Sequence, residues 1–577
     1  MCLFTWTCFA SIFLIYFFIT NLKKKEKKSM FKKRDKSSKV YEFWYLFLLI
    51  VGICIGSGIY VKNQELISQT KSPWIATVLW LTIGLVCVIS IVVFMEIAKS
   101  TEKEGNGTVS NWCKLFINRK FASFVSVLYT TIYMPAYQSI FVSLTIAYFF
   151  AFTGITPDPK ALLSVYILVG VSLFVLFAFV NVYSANISRK MQFFAMFIKF
   201  IPLIIAFFAG FLIAILGSNP KGNGMGMESG TDLLFMNFLG GMGAILFSFD
   251  GYIFTANTQK SAKNKEVVPI AIISGLIFIT MFYVLMAISL FLGGDGSVET
   301  VLIQVFSGFS EHPSDTSIKA ASTVVYLIMF LICLLNINMF THFGTSNLLS
   351  DHNMKLTYLR KGGNGFKKSA FTQMAISVTF YVALILVGGL SSHGKWAGMS
   401  TNVNINFFDP ETQKVIYIAY LTSPMFYVGI MSSVCVVLIF IVISMLMIAA
   451  MWNRKTQKVK VSKVKFFWPS AIISTTLFLF FTICGLIVFL APQLIDSSDM
   501  NWKTNGGMMF TIIFIVTLLA TIVIWLLQER MFKINPFENG FEGEIDKDMK
   551  VNNWMAAKEA QELREINNET KTKIKST

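Results

Sequence analysis

Apolar runs of nearly uniform length fill most of the chain, and short charged loops separate them. Lipid supplies no hydrogen bonds to backbone N–H and C=O groups, so a run of ~20 apolar residues crosses a bilayer as a helix. About twelve such runs predict an all-α polytopic membrane protein. Numbered in chain order as spans 1 to 12, they cover residues 42–62, 74–98, 121–152, 161–182, 193–217, 232–257, 268–293, 319–346, 370–390, 424–451, 467–491 and 508–529.

The composition supports this prediction, and the distribution of charge gives an orientation. Hydrophobic residues make up 55% of the 577 residues and charged residues only 14%, a balance that is not typical of soluble proteins. The net charge of +18 does not indicate a nucleic-acid partner, because Lys and Arg cluster in alternate loops, as orientation signals do. Both termini are therefore predicted to be cytoplasmic in a cell (plasma) membrane. The basic loops are 21–39, 99–120, 189–190, 260–265, 355–368 and 454–465.

The two ends of the chain lie outside the pattern of spans. In the segment 1–40 the apolar stretch precedes the basic residues, which is the wrong order for a signal peptide. The apolar stretch is either an additional span or a sign that translation begins at Met30, and we favour the start at Met30. The segment 530–577 is predicted to be a soluble cytoplasmic tail.

Span 6 carries a carboxylate and glycines at a depth where lipid favours neither. Asp250 and Gly251 interrupt an apolar run that extends over 232–256. An Asp at the centre of a spanning helix costs about 2.5–3.5 kcal/mol, so it needs a partner, a cavity or a proton. Glycine lets the backbone leave helical geometry, and the freed peptide groups must then meet a ligand, water or protein.

A second interruption of this kind occurs in span 1, at Gly56, Ser57 and Gly58. Two broken spans in corresponding halves of a chain indicate the binding site of a transporter. The half-helix that follows the break would present its partial positive charge to an anionic group, such as the carboxylate of an amino acid. The alternative is a face of small residues for close helix packing.

Asp250 has two interpretations of its own. It is either a partner for a substrate ammonium group or a structural residue of the unwound segment, and we favour the structural role. The neighbouring aromatic residues Phe247, Phe249 and Tyr252 are candidates for the wall of a cavity, although aromatic side chains more often serve packing.

Several other polar residues lie within the predicted spans. Lys199 in span 5 is a candidate for a fixed or titrating positive charge; the alternative is a side chain that snorkels to the cytoplasmic surface. Glu96, at the inner end of span 2, is a candidate gate residue or an ordinary interfacial carboxylate. Tyr133 and Gln138 in span 3 and Asn336 in span 8 are candidates for a cavity, and polar side chains also hold helices together.

Sequence patterns that would indicate an enzyme, a metal site or a channel are incomplete or missing in this chain. The run 389–396 approaches a phosphate-binding loop but ends in Trp where Ser or Thr is required. The four histidines and eight cysteines show no metal-ligand spacing, and no cluster of nucleophile and base indicates an enzyme. A channel would more often bring rings of charge or a repeated pore loop. We therefore predict no catalytic residues and no metal site.

The residues that interrupt spans 1 and 6 resemble signatures of the amino acid–polyamine–organocation superfamily. Residues 56–59 (Gly-Ser-Gly-Ile) resemble its span-1 signature. Residues 247–252 and 263–269 resemble its block of aromatic, Asp-Gly and aromatic residues followed by Lys-Asn and Pro. Glu96 matches the acidic position that ends span 2, and Lys199 matches the span-5 lysine of proton-linked members.

This resemblance implies a leucine-transporter-like fold of two inverted five-helix repeats plus two helices. The transporter domain would cover 41–529, with repeats at 42–217 and 232–451 and the last two helices at 467–529. The implied activity is secondary active transport of an amino acid by alternating access. It would be coupled to protons or to a counter-substrate and would need no cofactor. The alternative is a polyamine or basic amino acid antiporter.

The resemblance also implies which residues form the site. Backbone of span 1 would bind the substrate carboxylate, backbone of span 6 would bind its amine, and Lys199 would provide coupling. The implied substrate-binding residues are Ile55, Gly56, Ser57, Gly58, Phe247, Ser248, Phe249, Asp250 and Gly251. In one departure from the pattern, Gln259 and Lys260 stand where many relatives carry paired acidic residues.

Overall fold

The computed structural model describes most of the predicted spans. The residues it describes are 39–55, 59, 63, 66, 70, 72–101, 107–155, 159–216, 245–246, 248–249, 267–294, 296–309, 314–359, 365–391, 426–490 and 506–534. Within these ranges the regular structure is helical and no strand occurs, so the predicted all-α class is confirmed.

Ten helices in the described part of the chain are long and apolar enough to cross a membrane, and they correspond to spans 2–5 and 7–12. Spans 1 and 6 are described only in part, and the count of twelve stays a prediction. The span helices are Lys39–Cys54, Pro73–Lys99, Arg119–Leu128 continuing as Met134–Thr153, Pro159–Tyr183, Ala185–Leu216, Val267–Gly293, Asp315–Asn353, Gly365–Ser391, Phe426–Thr456, Phe467–Leu490 and Gly506–Ile534.

Two short helices join the spans, and side-chain caps fix where they begin. The first short helix, Val109–Phe116, lies between spans 2 and 3, and the Thr108 hydroxyl accepts from the N–H of Asn111. The second short helix, Val298–Phe306, follows span 7, and the Ser297 hydroxyl caps its first turn. Such caps satisfy N–H groups that have no partner within the helix.

Span 3 is the most deeply enclosed of the described spans. In its most apolar stretch 78% of the residues are buried, against 17% in span 12. Span 8 packs along span 3 and also touches spans 5 and 9, while span 7 lies against spans 1, 2 and 5. A π-helical turn, Tyr129–Tyr133, interrupts span 3, a feature that often occurs at functional sites.

Spans 5 and 7 approach each other at backbone distance. A Cβ atom on Gly293 would lie 2.5 Å from the Cα of Gly210, and the Ser289 hydroxyl donates to the carbonyl of Phe207 at 2.6 Å. Small residues with one crossing hydrogen bond are the usual means of close helix association in membranes.

We therefore expect Gly293→Ala to destabilise the protein. Overpacking a close contact costs about 1–3 kcal/mol, which would lower the unfolding temperature in detergent by several degrees. Gly365→Ala is the control, since its Cβ would meet only a Leu349 methyl group at 3.3 Å. Equal unfolding temperatures for the two variants would contradict the prediction.

Candidate functional site

The helix of span 1 ends in the middle of the predicted span. Its last residue is Cys54, and the N–H of Ile55 still donates to the carbonyl of Val51 at 2.8 Å. Ile55 is fully buried, and helical backbone is present again at Ile59 and at Asn63. The end of the helix therefore falls where the sequence predicts an interruption. Gly56, Ser57 and Gly58 lie outside the described residues, so their predicted role stays a prediction.

Of the predicted site in span 6, the structure describes Ser248 and Phe249. Both are buried and helical. The ring of Phe249 packs 5.9 Å from Trp80 and 5.3 Å from Tyr283, measured between ring centroids. A Cβ on Gly84 would come within 3.0 Å of this ring, so the side chain of Phe249 serves packing against spans 2 and 7.

The remaining predicted residues of span 6 lie outside the described residues. Their substrate-binding and cavity roles therefore stay predictions. These residues are Phe247, Asp250, Gly251 and Tyr252.

Asn63, directly after predicted span 1, forms a polar clamp that the sequence motifs do not predict. The Trp80 indole N–H donates to Asn63 Oδ1 at 3.0 Å, and Asn63 Nδ2 donates to the carbonyl of Gly296 at 2.7 Å. Gly296 has a positive φ of 84°, a conformation that favours glycine. The clamp joins span 1 to span 2 and to the turn before the second short helix. The sequence signal for this clamp is the pair of Asn63, directly after predicted span 1, and Trp80 in span 2.

Asn336, a predicted cavity residue of span 8, is fully buried. Among the described residues neither its Oδ1 nor its Nδ2 has a hydrogen-bond partner. An amide buried without a partner costs about 1–3 kcal/mol or more, so such a group calls for an explanation. A ligand, a water molecule or a peptide group of an interrupted span would each satisfy it.

Asn338, two residues further along span 8, has the opposite character. Its Oδ1 accepts from Asn181 Nδ2 at 3.0 Å and from the Ser188 hydroxyl at 3.1 Å. Its Nδ2 donates to the carbonyl of Ser188 at 3.1 Å. These bonds tie span 8 to spans 4 and 5, so Asn338 holds helices together.

Tyr133 and Gln138, the predicted cavity residues of span 3, lie at its interface with span 8. The Tyr133 ring lies 4.6 Å from that of Tyr137, which in turn stacks 5.2 Å from Phe340 of span 8. Gln138 makes one long contact of 3.5 Å to the hydroxyl of Thr341. The Oε1 of Gln138 has no hydrogen-bond partner among the described residues, so only Tyr133 is assigned to helix packing, and the contact of both side chains with a substrate stays a prediction.

Lys199 is enclosed by protein, with only 1% of its surface exposed. It lies near Cys333, in the middle of span 8. A snorkelling lysine would extend along the helix surface to the membrane boundary, so this alternative does not fit the placement. The coupling role of Lys199 stays a prediction.

Glu96 forms a buried ion pair at the end of span 2. Arg454 of span 10 donates to its Oε2, and the N–H of Val464 donates to the same atom at 2.9 Å. The Arg454 guanidinium also lies over the ring of Phe467, 5.0 Å from the ring centroid, which is a cation–π contact. The carboxylate therefore joins the ends of spans 2 and 10 to the loop between spans 10 and 11.

A second cluster at this end of the molecule surrounds Asp351, which no sequence motif singles out. The Ser126 hydroxyl donates to Asp351 Oδ2 at 2.6 Å, and the Thr108 hydroxyl donates to Oδ1 at 3.2 Å. Ser110 provides a further hydrogen bond. The backbone carbonyl of Asp351 accepts from the N–H of Leu356 at 2.8 Å. Hydroxyl groups from span 3 and from the segment before it thus hold the end of span 8.

A third cluster attaches the end of span 12. Glu529 accepts from Arg119 at 2.8 Å and from the Ser123 hydroxyl at 2.7 Å, while Gln528 donates to the carbonyl of Leu356 at 2.9 Å. The ends of spans 2, 8, 10 and 12 and the beginning of span 3 therefore meet on one side, which we call the basic side because the predicted basic loops adjoin it. The sequence predicts this common side.

Comparisons with known proteins place the chain in a family. A family profile described as "Amino acid permease" matches residues 41–519. An uncharacterized protein of Mycoplasma pneumoniae is 24% identical over 477 residues, covering 74% of this chain and 80% of that protein. "Amino acid transporter protein 6" of Caenorhabditis elegans is 24% identical over 237 residues, covering 41% of this chain and 45% of that protein.

Solved structures of a manganese transporter from Eremococcus coleocola are also similar to the chain. One of them, in complex with an aromatic bis-isothiourea substituted compound, has a TM-score of 0.47 and 14% sequence identity. The alignment covers 86% of this chain and 98% of that chain. The structure of a point mutant of the same transporter gives a TM-score of 0.47 at 12% identity, covering 87% and 98% of the two chains.

A multi-pass helical membrane protein is the class that the structure defines. The profile match covers most of the chain, and the protein belongs to the amino acid permease family. It is a membrane transporter and not an enzyme. The predicted superfamily is thereby confirmed.

The Glu96–Arg454 pair yields a prediction about stability. We expect Glu96→Gln to lower stability by about 3–5 kcal/mol, because removing one partner of a buried ion pair leaves the other charge uncompensated. Thermal unfolding in detergent measures the loss. Exchanging the two residues (Glu96→Arg with Arg454→Glu) should recover part of it, and an unaltered unfolding temperature in Glu96→Gln would show that the pair is not structural.

Proposed function

We propose that the protein is a secondary active amino acid transporter that works by alternating access. One observation carries the proposal: the span-1 helix ends at Cys54, in the middle of the predicted span, beside a fully buried Ile55 and the glycines that follow. Peptide groups released at that depth need a polar ligand. The family supplies the class of that ligand, an amino acid.

In this proposal the zwitterion lies between the two interrupted spans. Amides of residues 56–58 bind the carboxylate, helped by the positive end of the half-helix that follows. Carbonyls near 247–249 bind the amine, and Asp250 supports the unwound segment. Asn336 of span 8 supports this location of the substrate. Its buried side-chain amide has no hydrogen-bond partner for its donor or its acceptor among the described residues.

Coupling is proposed to run through Lys199, as a proton site or as a fixed charge in an exchanger. A buried ammonium group in a membrane is costly, so a lysine enclosed beside span 8 is a natural titrating group. The basic side is proposed to be cytoplasmic and the membrane to be the plasma membrane, following the positive-inside rule.

Uptake by the purified protein in liposomes tests the proposal. A panel of labelled amino acids is offered with and without a pH gradient, and with counter-substrate trapped inside. Saturable uptake of an amino acid supports the proposal, and its dependence on the gradient or on the trapped substrate separates symport from exchange. Absence of uptake and of exchange for the whole panel would contradict it.

Asn336 yields a prediction that separates binding from stability. In Asn336→Leu we expect KM to rise by about 3- to 10-fold, because one substrate hydrogen bond is worth about 0.5–1.5 kcal/mol. The unfolding temperature should stay equal or rise, since an unpaired buried amide is replaced by an apolar group of similar shape. Asn338→Leu is the matched control and should lose stability. An unchanged KM in Asn336→Leu would remove Asn336 from the site.

Lys199 yields a prediction about coupling. Lys199→Ala should abolish accumulation driven by a pH gradient, because the group that carries the proton is gone, while exchange at equal pH on both sides is partly retained. The two assays are run on the same liposome preparation so that protein content is identical. Unchanged gradient-driven uptake would exclude the lysine from coupling.

A further inference from the structure

A carboxylate is buried on the side opposite the basic loops. Glu299 lies in the first turn of the second short helix, with 8% of its surface exposed. The Tyr148 hydroxyl of span 3 donates to its Oε1 at 2.9 Å, and the Ser297 hydroxyl accepts from its backbone N–H at 3.1 Å. A carboxylate in a first turn also interacts favourably with the helix dipole. That benefit is available to an exposed residue, so it does not explain burial against a tyrosine.

Polar side chains continue from Glu299 toward the middle of the membrane. The Tyr148 ring stacks on Tyr326 of span 8, with ring centroids 6.3 Å apart, and both tyrosines are buried. Cys333 follows Tyr326 two turns later on the same face of span 8. Cys333 lies near both Glu299 and Lys199. Glu299 and Lys199 thus stand at the two ends of one file of buried polar groups.

The surroundings of this file are apolar. The part of span 5 that follows Lys199 presents Leu203, Ala206 and Ala209 to the protein interior. Tyr283 of span 7 packs on Trp80 and Phe249 instead. Among the described residues around the second short helix, the titratable groups near Glu299 are therefore Tyr148, Tyr326 and Cys333, and Lys199 lies beyond Cys333.

We propose that Glu299 is the residue through which a proton enters on the way to Lys199, an inference that rests on the proposed proton coupling. The Glu299 carboxylate takes a proton from water on the side opposite the basic loops and becomes a neutral acid. The proton then passes along the hydroxyls of Tyr148 and Tyr326, with water between them, to the neutral amine of Lys199. Glu299 returns to a carboxylate, and Lys199 becomes an ammonium group that later releases the proton on the basic side.

The decisive variant is Glu299→Gln, which keeps the size of the side chain and an acceptor for Tyr148 but cannot carry a proton. Purified proteins in liposomes are assayed for gradient-driven uptake, for exchange at equal pH, and for proton entry with a pH-sensitive dye inside. We expect gradient-driven uptake and proton entry to fall by about tenfold or more, a size typical of losing a proton-transfer group. Exchange should stay within about twofold, and the pH dependence of uptake should flatten.

Three further variants guard against a merely structural role. Glu299→Asp keeps a titrating carboxylate and should restore part of the gradient-driven uptake and its pH dependence. Lys319→Gln, an exposed change at the beginning of span 8 on the same side, should alter neither assay. Tyr148→Phe removes the first hydroxyl of the file and should slow gradient-driven uptake more than exchange.

The outcomes are distinct for this inference and for the proposed function. If the unmodified protein shows gradient-driven uptake and Glu299→Gln keeps the full rate, the role of Glu299 is overturned. The proposed function is unaffected by that result. Exchange without any gradient-driven uptake in the unmodified protein overturns proton coupling and, with it, this route. Equal loss of exchange and of gradient-driven uptake in Glu299→Gln assigns the residue to structure and overturns the inference.

Discussion

A polar group that a bilayer encloses without a partner has a high free energy, and the interior of this protein is arranged by that constraint. Asn338 and Glu96 have partners that give them a structural role: Asn338 joins three spans, and Glu96 joins two spans and a loop. Where partners are lacking among the described residues, as for Asn336, the constraint indicates a place for a ligand or for peptide groups of an interrupted helix.

The same constraint distinguishes the two ends of the molecule. On the basic side, ion pairs and hydroxyl–carboxylate bonds connect the ends of five spans, with Glu96, Asp351 and Glu529 as their acceptors. On the opposite side, the described contacts include the Asn63 clamp, the Ser289–Phe207 bond and the Tyr148–Glu299 bond. Alternating access requires contacts on each side to form and break in turn. Opening the basic side would therefore break charged contacts, whereas opening the opposite side would mainly break neutral hydrogen bonds and one tyrosine–carboxylate bond.

Hydropathy is sufficient to predict the spans, because burial in lipid requires continuous apolar length. Span 2 is predicted at 74–98 and observed at Pro73–Lys99. Span 8 is predicted at 319–346, but its helix extends over Asp315–Asn353. The additional turns contain Asp351, whose hydroxyl partners stabilise the helix beyond the apolar run. Those partners are 225 and 243 residues away in the chain, so no local pattern could reveal them. The end of the span-1 helix at Cys54 is predictable from the glycines that follow it, because glycine acts locally.

The placement of Lys199 and Glu299 along one file has an electrostatic consequence for transport. An isolated charge inside a membrane protein is costly, but an ammonium and a carboxylate in one buried region offset each other's field. When both are ionised the region is neutral, and adding one proton at Glu299 or removing one at Lys199 leaves a single net charge. A proton that moves from the acid to the amine converts two neutral groups into an ion pair, so the region can pass a proton inward without gaining net charge in that step. A zwitterionic substrate brings no net charge of its own, so its binding adds no net charge to the region that Lys199 and Glu299 occupy.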